Sequence, residues 1–115
     1  MNIFEFQCQC GKCDDVFPSA DLVKILHNVE MHFGKDIAIS SGYRCANHNK
    51  TVGGSNGSRH IQGQAVDCYV PGIPYDQLYD YLCLTYPTEY GIGLYNTHVH
   101  VDSRMNGPAR WDNRG

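Results

Sequence analysis

Glu89-Tyr90-Gly91-Ile92-Gly93-Leu94-Tyr95-Asn96-Thr97-His98-Val99-His100-Val101-Asp102 alternates in character residue by residue on both sides of a short break. A period of two marks half-buried strands, and a two-residue turn at Tyr95-Asn96 makes the runs Glu89–Leu94 and Thr97–Asp102 an antiparallel hairpin. With Leu94 opposite Thr97, one face pairs Ile92 with Val99 and Tyr90 with Val101. The other face sets Gly93 against His98, Gly91 against His100 and Glu89 against Asp102. One face is therefore core, and the other presents two histidines beneath two bare glycines, with space above the imidazoles.

Outward from the hairpin, Tyr75–Leu84 lies between Pro74 and Pro87 and predicts a helix, preceded by a strand over Gln64–Val70. Ala65, Asp67 and Tyr69 share one side of that strand, opposite Val66, Cys68 and Val70. Residues 45–58, with Gly53, Gly54 and Gly57, predict a polar loop or broken short helix, and Asp36–Ser40 a strand ending at the Gly42 turn. Leu22, Ile25, Leu26, Val29 and Phe33 recur at helical spacing between a Ser19 cap and a Gly34 stop. Phe4–Phe6 predicts a short strand or extended arm. The order of elements predicts an α+β fold, a small antiparallel sheet with flanking helices, in a single domain spanning residues 1–115.

Composition narrows the function. Lys and Arg total 9 against 12 Asp and Glu, for a net charge of −3, and the basic residues are scattered singly apart from Arg104, Arg110 and Arg114. Nucleic-acid binding, which needs a basic face, is not expected. No apolar stretch approaches the ~20 residues that cross a bilayer, and the Met1 segment lacks a basic start followed by an apolar run, so neither a membrane span nor a secretory leader is expected. A chain of 115 residues with eight tyrosines, twelve glycines and six histidines suits a loop-rich globular domain carrying a polar site.

His60, Asp67 and His100 are the candidate metal ligands. Gly63 lets the chain turn after His60 and return Asp67 on the following strand, where a carboxylate among apolar residues is costly to bury unless paired or metal-bound. Two imidazoles and one carboxylate form a three-ligand zinc set with a fourth position open to water, the pattern of a catalytic site. His98 shares the strand face of His100 and lines the same site. A surface or packed histidine and a loop-capping aspartate are the competing structural roles.

The run Ser40-Ser41-Gly42-Tyr43-Arg44-Cys45, with His48-Asn49, Val52-Gly53-Gly54, Ser58-Arg59-His60, Gly63, Ala65, Asp67, Gly91-Ile92-Gly93, His98-Val99-His100-Val101-Asp102 and Ala109-Arg110-Trp111, resembles the M15 family of zinc D-Ala-D-Ala carboxypeptidases. The resemblance covers most of residues 36–111. It implies the α+β fold shared by those peptidases and the hedgehog signalling domain, one catalytic zinc, and cleavage of peptidoglycan stem peptides as a carboxypeptidase or as an endolysin-type endopeptidase. By resemblance, His60, Asp67 and His100 are the zinc ligands, Arg44 holds substrate and serves catalysis, and Ser58 orients His60 or contacts substrate.

Many relatives carry an acid three residues before the last zinc histidine, where this chain has Thr97. Threonine cannot take a proton from water at neutral pH, which makes His98 the candidate base, with Glu89 and Asp102 at the rim as substitutes. Thr97 also motivates the rival reading, a hedgehog-like binding module that keeps zinc without turnover. Cys8, Cys10 and Cys13 form a candidate second, structural zinc site that Cys45, Cys68, Cys83 or a histidine would close; free thiols or disulfides are the alternatives. The expected partner is a peptidoglycan stem peptide met by a monomer. The protein is expected to be made in the cytoplasm and, if phage-encoded, to act on the cell wall.

Overall fold

The computed structural model describes residues 6–9, 18–44 and 64–114. In chain order these form α1 (Ala20–Phe33), β1 (Ala38–Ser41), β2 (Ala65–Tyr69), α2 (Tyr75–Thr85), β3 (Gly91–Leu94), β4 (Val99–Asp102) and β5 (Ala109–Asp112). The predicted loop at 45–58, together with Phe4, lies outside the described residues.

Helix α1 begins and ends where its caps dictate. Ser19 Oγ accepts the Leu22 N–H at 3.3 Å, satisfying one of the orphan donors of the first turn. Gly34 closes the helix at φ 65°, a left-handed conformation natural to glycine, and donates its N–H to Glu30 O at 2.9 Å. Leu22, Ile25, Leu26 and Val29 are fully buried, each contributing about 1.5–3 kcal/mol of transfer free energy. Ser19 Oγ also lies 2.8 Å from Ser103 Oγ, which ties the start of α1 to the exit of β4. Helix α2 starts after Pro74, as predicted, and buries Leu78 and Leu82.

The five strands lie in the order β1-β2-β4-β3-β5. Four of them pair antiparallel, and β5 extends the sheet by pairing parallel with β3. The fold is α+β, as expected. The fifth strand is an addition to the predicted elements. Ala109-Arg110-Trp111-Asp112 has no apolar alternation, and its place comes from backbone pairing with β3 and from the Arg110 guanidinium, which donates to the carbonyls of Tyr86, Glu89 and Tyr90.

The hairpin is present with a different register. Leu94 pairs with Val99, Ile92 with Val101, Gly93 with His100 and Gly91 with Asp102. Tyr95 donates its N–H to His98 O at 3.0 Å, so the two-residue connection is Asn96-Thr97 instead of Tyr95-Asn96. Moving the turn by one residue shifts every pair by two, which leaves each side chain on its predicted face. Val66, Cys68, Ile92, Leu94, Val99 and Val101 accordingly join the buried residues of α1 and α2 in one core. Phe6 belongs to the same core and accepts the Tyr43 N–H through its carbonyl at 2.6 Å, while a β-carbon on Gly42 would overlap the Phe6 backbone.

Candidate active site

With the apolar face committed to the core, the opposite face of the sheet carries the polar residues. The strand registers place Ser41, Asp67, His100, Gly93 and Trp111 in one row, one residue per strand. Asp67 and His100 are thus direct cross-strand neighbours, with His100 Nδ1 3.2 Å from Asp67 Oδ1. His98 Nε2 lies 3.8 Å from the same oxygen. Side-chain exposure falls from 22% at His98 and 18% at Asp67 to 12% at His100 and 0% at Asp102, so the site opens to solvent at His98 and closes at Asp102.

The closed end is an ion-pair network. Asp102 Oδ2 lies 2.7 Å from His100 Nε2, and the carboxylate accepts from Arg104 Nε and an Arg104 terminal nitrogen, each at 2.7 Å. The backbone N–H groups of Gly91 and Arg104 donate to Oδ1, each at 3.2 Å. Burial alone would raise the Asp102 pKa, but the bonds from Arg104 and His100 win and hold the carboxyl far below its usual range. Burial alone would likewise lower the His100 pKa, and the bonds to Asp102 and Asp67 raise it instead.

This arrangement assigns the two nitrogens of His100 different tasks. An ionised Asp102 only accepts, so Nε2 carries the proton and donates. Nδ1 then turns its lone pair toward Asp67 Oδ1, an arrangement that needs a positive centre, either a second proton or a cation. A buried carboxylate that fixes the tautomer and orientation of an imidazole is the support a metal-binding histidine requires. Asp67 and His100 are donor types that zinc takes, and they stand side by side on this sheet face. Among the described residues no group of three or more His, Cys, Asp or Glu side chains could hold a metal ion, and the third predicted ligand, His60, lies outside them.

The space expected above the histidines is filled. A β-carbon at Gly93 would overlap the Trp111 indole, and one at Gly91 would overlap Asp102 and Arg104. The glycines are bare because other side chains cross over them. Asp102 is a buried support for His100 and not a rim acid, and Glu89 is exposed, one residue before the Tyr90-Gly91 entry to β3 and unpaired with Asp102 in the register. Thr97 Oγ1 lies 2.9 Å from His98 Nδ1, so the residue that replaces the expected acid holds the neighbouring imidazole.

Arg44 is half-buried, three residues beyond Ser41, the β1 partner of Asp67. Ser58, Cys10, Cys13 and Cys45 lie outside the described residues, whereas Cys8 is described and half-buried. Cys68 sits buried on the core face with its thiol bonded to Val99 O at 3.5 Å and burial pushing its pKa up. Arg104, Tyr95 and Trp111 surround these groups although none of them has a site role in the sequence reading; Trp111, the one tryptophan of the chain, enters there only through the resemblance.

The described residues form a small α+β domain with histidine and aspartate side chains gathered on the polar face of its sheet. The chain belongs to the family described as Peptidase M15, whose family model matches residues 1–102. Peptidases of this family are generally zinc-dependent and act on peptides. No curated protein matches the chain. No helix among the described residues is long and apolar enough to cross a membrane.

Proposed function

We propose that the protein is a zinc peptidase that cleaves peptide bonds in peptidoglycan stem peptides, as a D-Ala-D-Ala carboxypeptidase or an endolysin-type endopeptidase. The observation that carries this reading is the pairing of His100 Nδ1 with Asp67 Oδ1 at 3.2 Å, backed by the buried Asp102–Arg104 pair. His60, Asp67 and His100 would hold the metal. Zinc, when bound, supplies Lewis acidity that polarises a carbonyl and lowers the pKa of water toward ~7.

His98 moves the proton. With Nδ1–H donating to Thr97 Oγ1, Nε2 keeps the lone pair that takes a proton from the attacking water and returns it to the leaving amine. Arg44, carried by the segment that leaves β1 beside Asp67, binds a substrate carboxylate or a polarised carbonyl oxygen. Ser58 orients His60 or contacts substrate. A second, structural zinc at Cys8, Cys10 and Cys13 rests on the cysteine pattern alone, and Cys10→Ser would remove one zinc equivalent if it exists.

Digestion of purified peptidoglycan by the zinc-loaded protein, with mass analysis of the released ends, tests the function. Free D-alanine identifies the carboxypeptidase, and internally cut stem peptides identify the endopeptidase. No release of either favours the hedgehog-like binding module, the reading that Thr97 in place of an acid supports.

A further inference from the structure

The matched family region ends at residue 102, and Trp111 lies beyond it on β5. Its indole crosses the position left empty by Gly93, packs against His100 with ring centroids 5.2 Å apart, and donates its Nε1–H to Tyr95 OH at 2.9 Å. The Arg104 guanidinium lies over the same indole at 5.5 Å. Tyr95 in turn stacks on the His98 imidazole, with centroids 4.5 Å apart and planes inclined by only 15°. Tyr95 and His98 flank the Asn96-Thr97 turn and share a backbone bond, so the stack is fixed at its base as well as along its rings.

We propose that Tyr95 and Trp111 are positioning residues for His98, with the Trp111 indole locking the Tyr95 ring and the ring fixing the plane in which His98 Nε2 faces Asp67. The inference rests on the reading of His98 as the proton-transfer group. Its physical basis is that each contact of the His98 imidazole restrains a different freedom of the ring. Thr97 Oγ1 holds one nitrogen, a contact at a point that does not by itself set the plane of the ring or resist its rotation. A parallel aromatic neighbour removes that rotation. Proton transfer depends steeply on such geometry. Gly93 is required because any side chain there would push the indole off Tyr95.

The test combines turnover with an observation of the ring itself. In zinc-loaded protein, the imidazole nitrogen NMR signals of His98 should report one tautomer in wild type and an averaged pair in Tyr95→Leu and Trp111→Phe. On solubilised peptidoglycan fragments, kcat should fall about tenfold in Trp111→Phe and about 10²-fold in Tyr95→Leu, with KM and zinc content unchanged and Tyr95→Phe retaining more activity than Tyr95→Leu. In a His98→Ala background, Tyr95→Leu should cost nothing further.

Unchanged His98 signals in both variants, or an equal loss of kcat from Tyr95→Leu with and without His98, would overturn the proposal. Full turnover in His98→Ala would remove the proton-transfer role and overturn it as well. An inactive wild type in which the tautomer signal still responds would retire the peptidase reading and support the positioning.

Discussion

His100 and Asp102 stand two residues apart on β4 and meet at 2.7 Å, Nε2 to Oδ2, with the carboxylate wholly buried and clamped by Arg104. Such neighbours share a strand face, and Arg104 two residues later turns back to close the clamp. The rigidity of the site starts here, because the proton on Nε2 fixes which nitrogen is offered to Asp67.

Asp102→Asn keeps the shape but removes the charge, and an amide can present its NH2 to His100 in place of an acceptor. Zinc affinity, measured by competition with a chelator, should fall about 10–100-fold. Arg104 would lose its counter-charge, so the melting temperature should fall too. An unchanged affinity would mean that His100 does not use Asp102 as its support.

Gly93→Ala should disturb β5 from within the sheet. The added methyl meets the Trp111 indole, and overpacking of this kind typically costs about 1–3 kcal/mol. Chemical denaturation of the zinc-loaded protein measures the loss. The paired variant Gly93→Ala with Trp111→Ala should recover part of it, because the obstructing ring is gone.

Arg44→Ala should lower kcat/KM by about tenfold or more, roughly 1.4 kcal/mol of transition-state stabilisation, while the melting temperature stays close to that of wild type. A collapse in stability would identify Arg44 as a structural residue instead.

The sequence carries the helices and the division between faces clearly. Ser19, Gly34 and the spacing from Leu22 to Val29 define α1 almost to the residue, since capping and burial are local properties. The hairpin faces were legible for the same reason, but its register was not. A shift of two preserves the apolar pattern, and only the placement of the turn at Asn96-Thr97 decides between the alternatives. Strand β5 and the Trp111–Tyr95 contact were hidden because they arise between distant segments, joined by a parallel pairing that leaves no alternation in Ala109-Arg110-Trp111-Asp112. Asp102 was placed on the correct face, yet its burial depends on Arg104 folding back over Gly91, which spacing alone does not encode.

The zinc content of His60→Ala and His100→Ala, compared with wild type, tests the central claim most directly. Wild-type protein should carry one zinc equivalent at the sheet-face site, and each variant should lose it while retaining its secondary structure. Full retention of zinc by both variants would contradict the proposed ligand set, and with it the assignment of this sheet face as the catalytic centre.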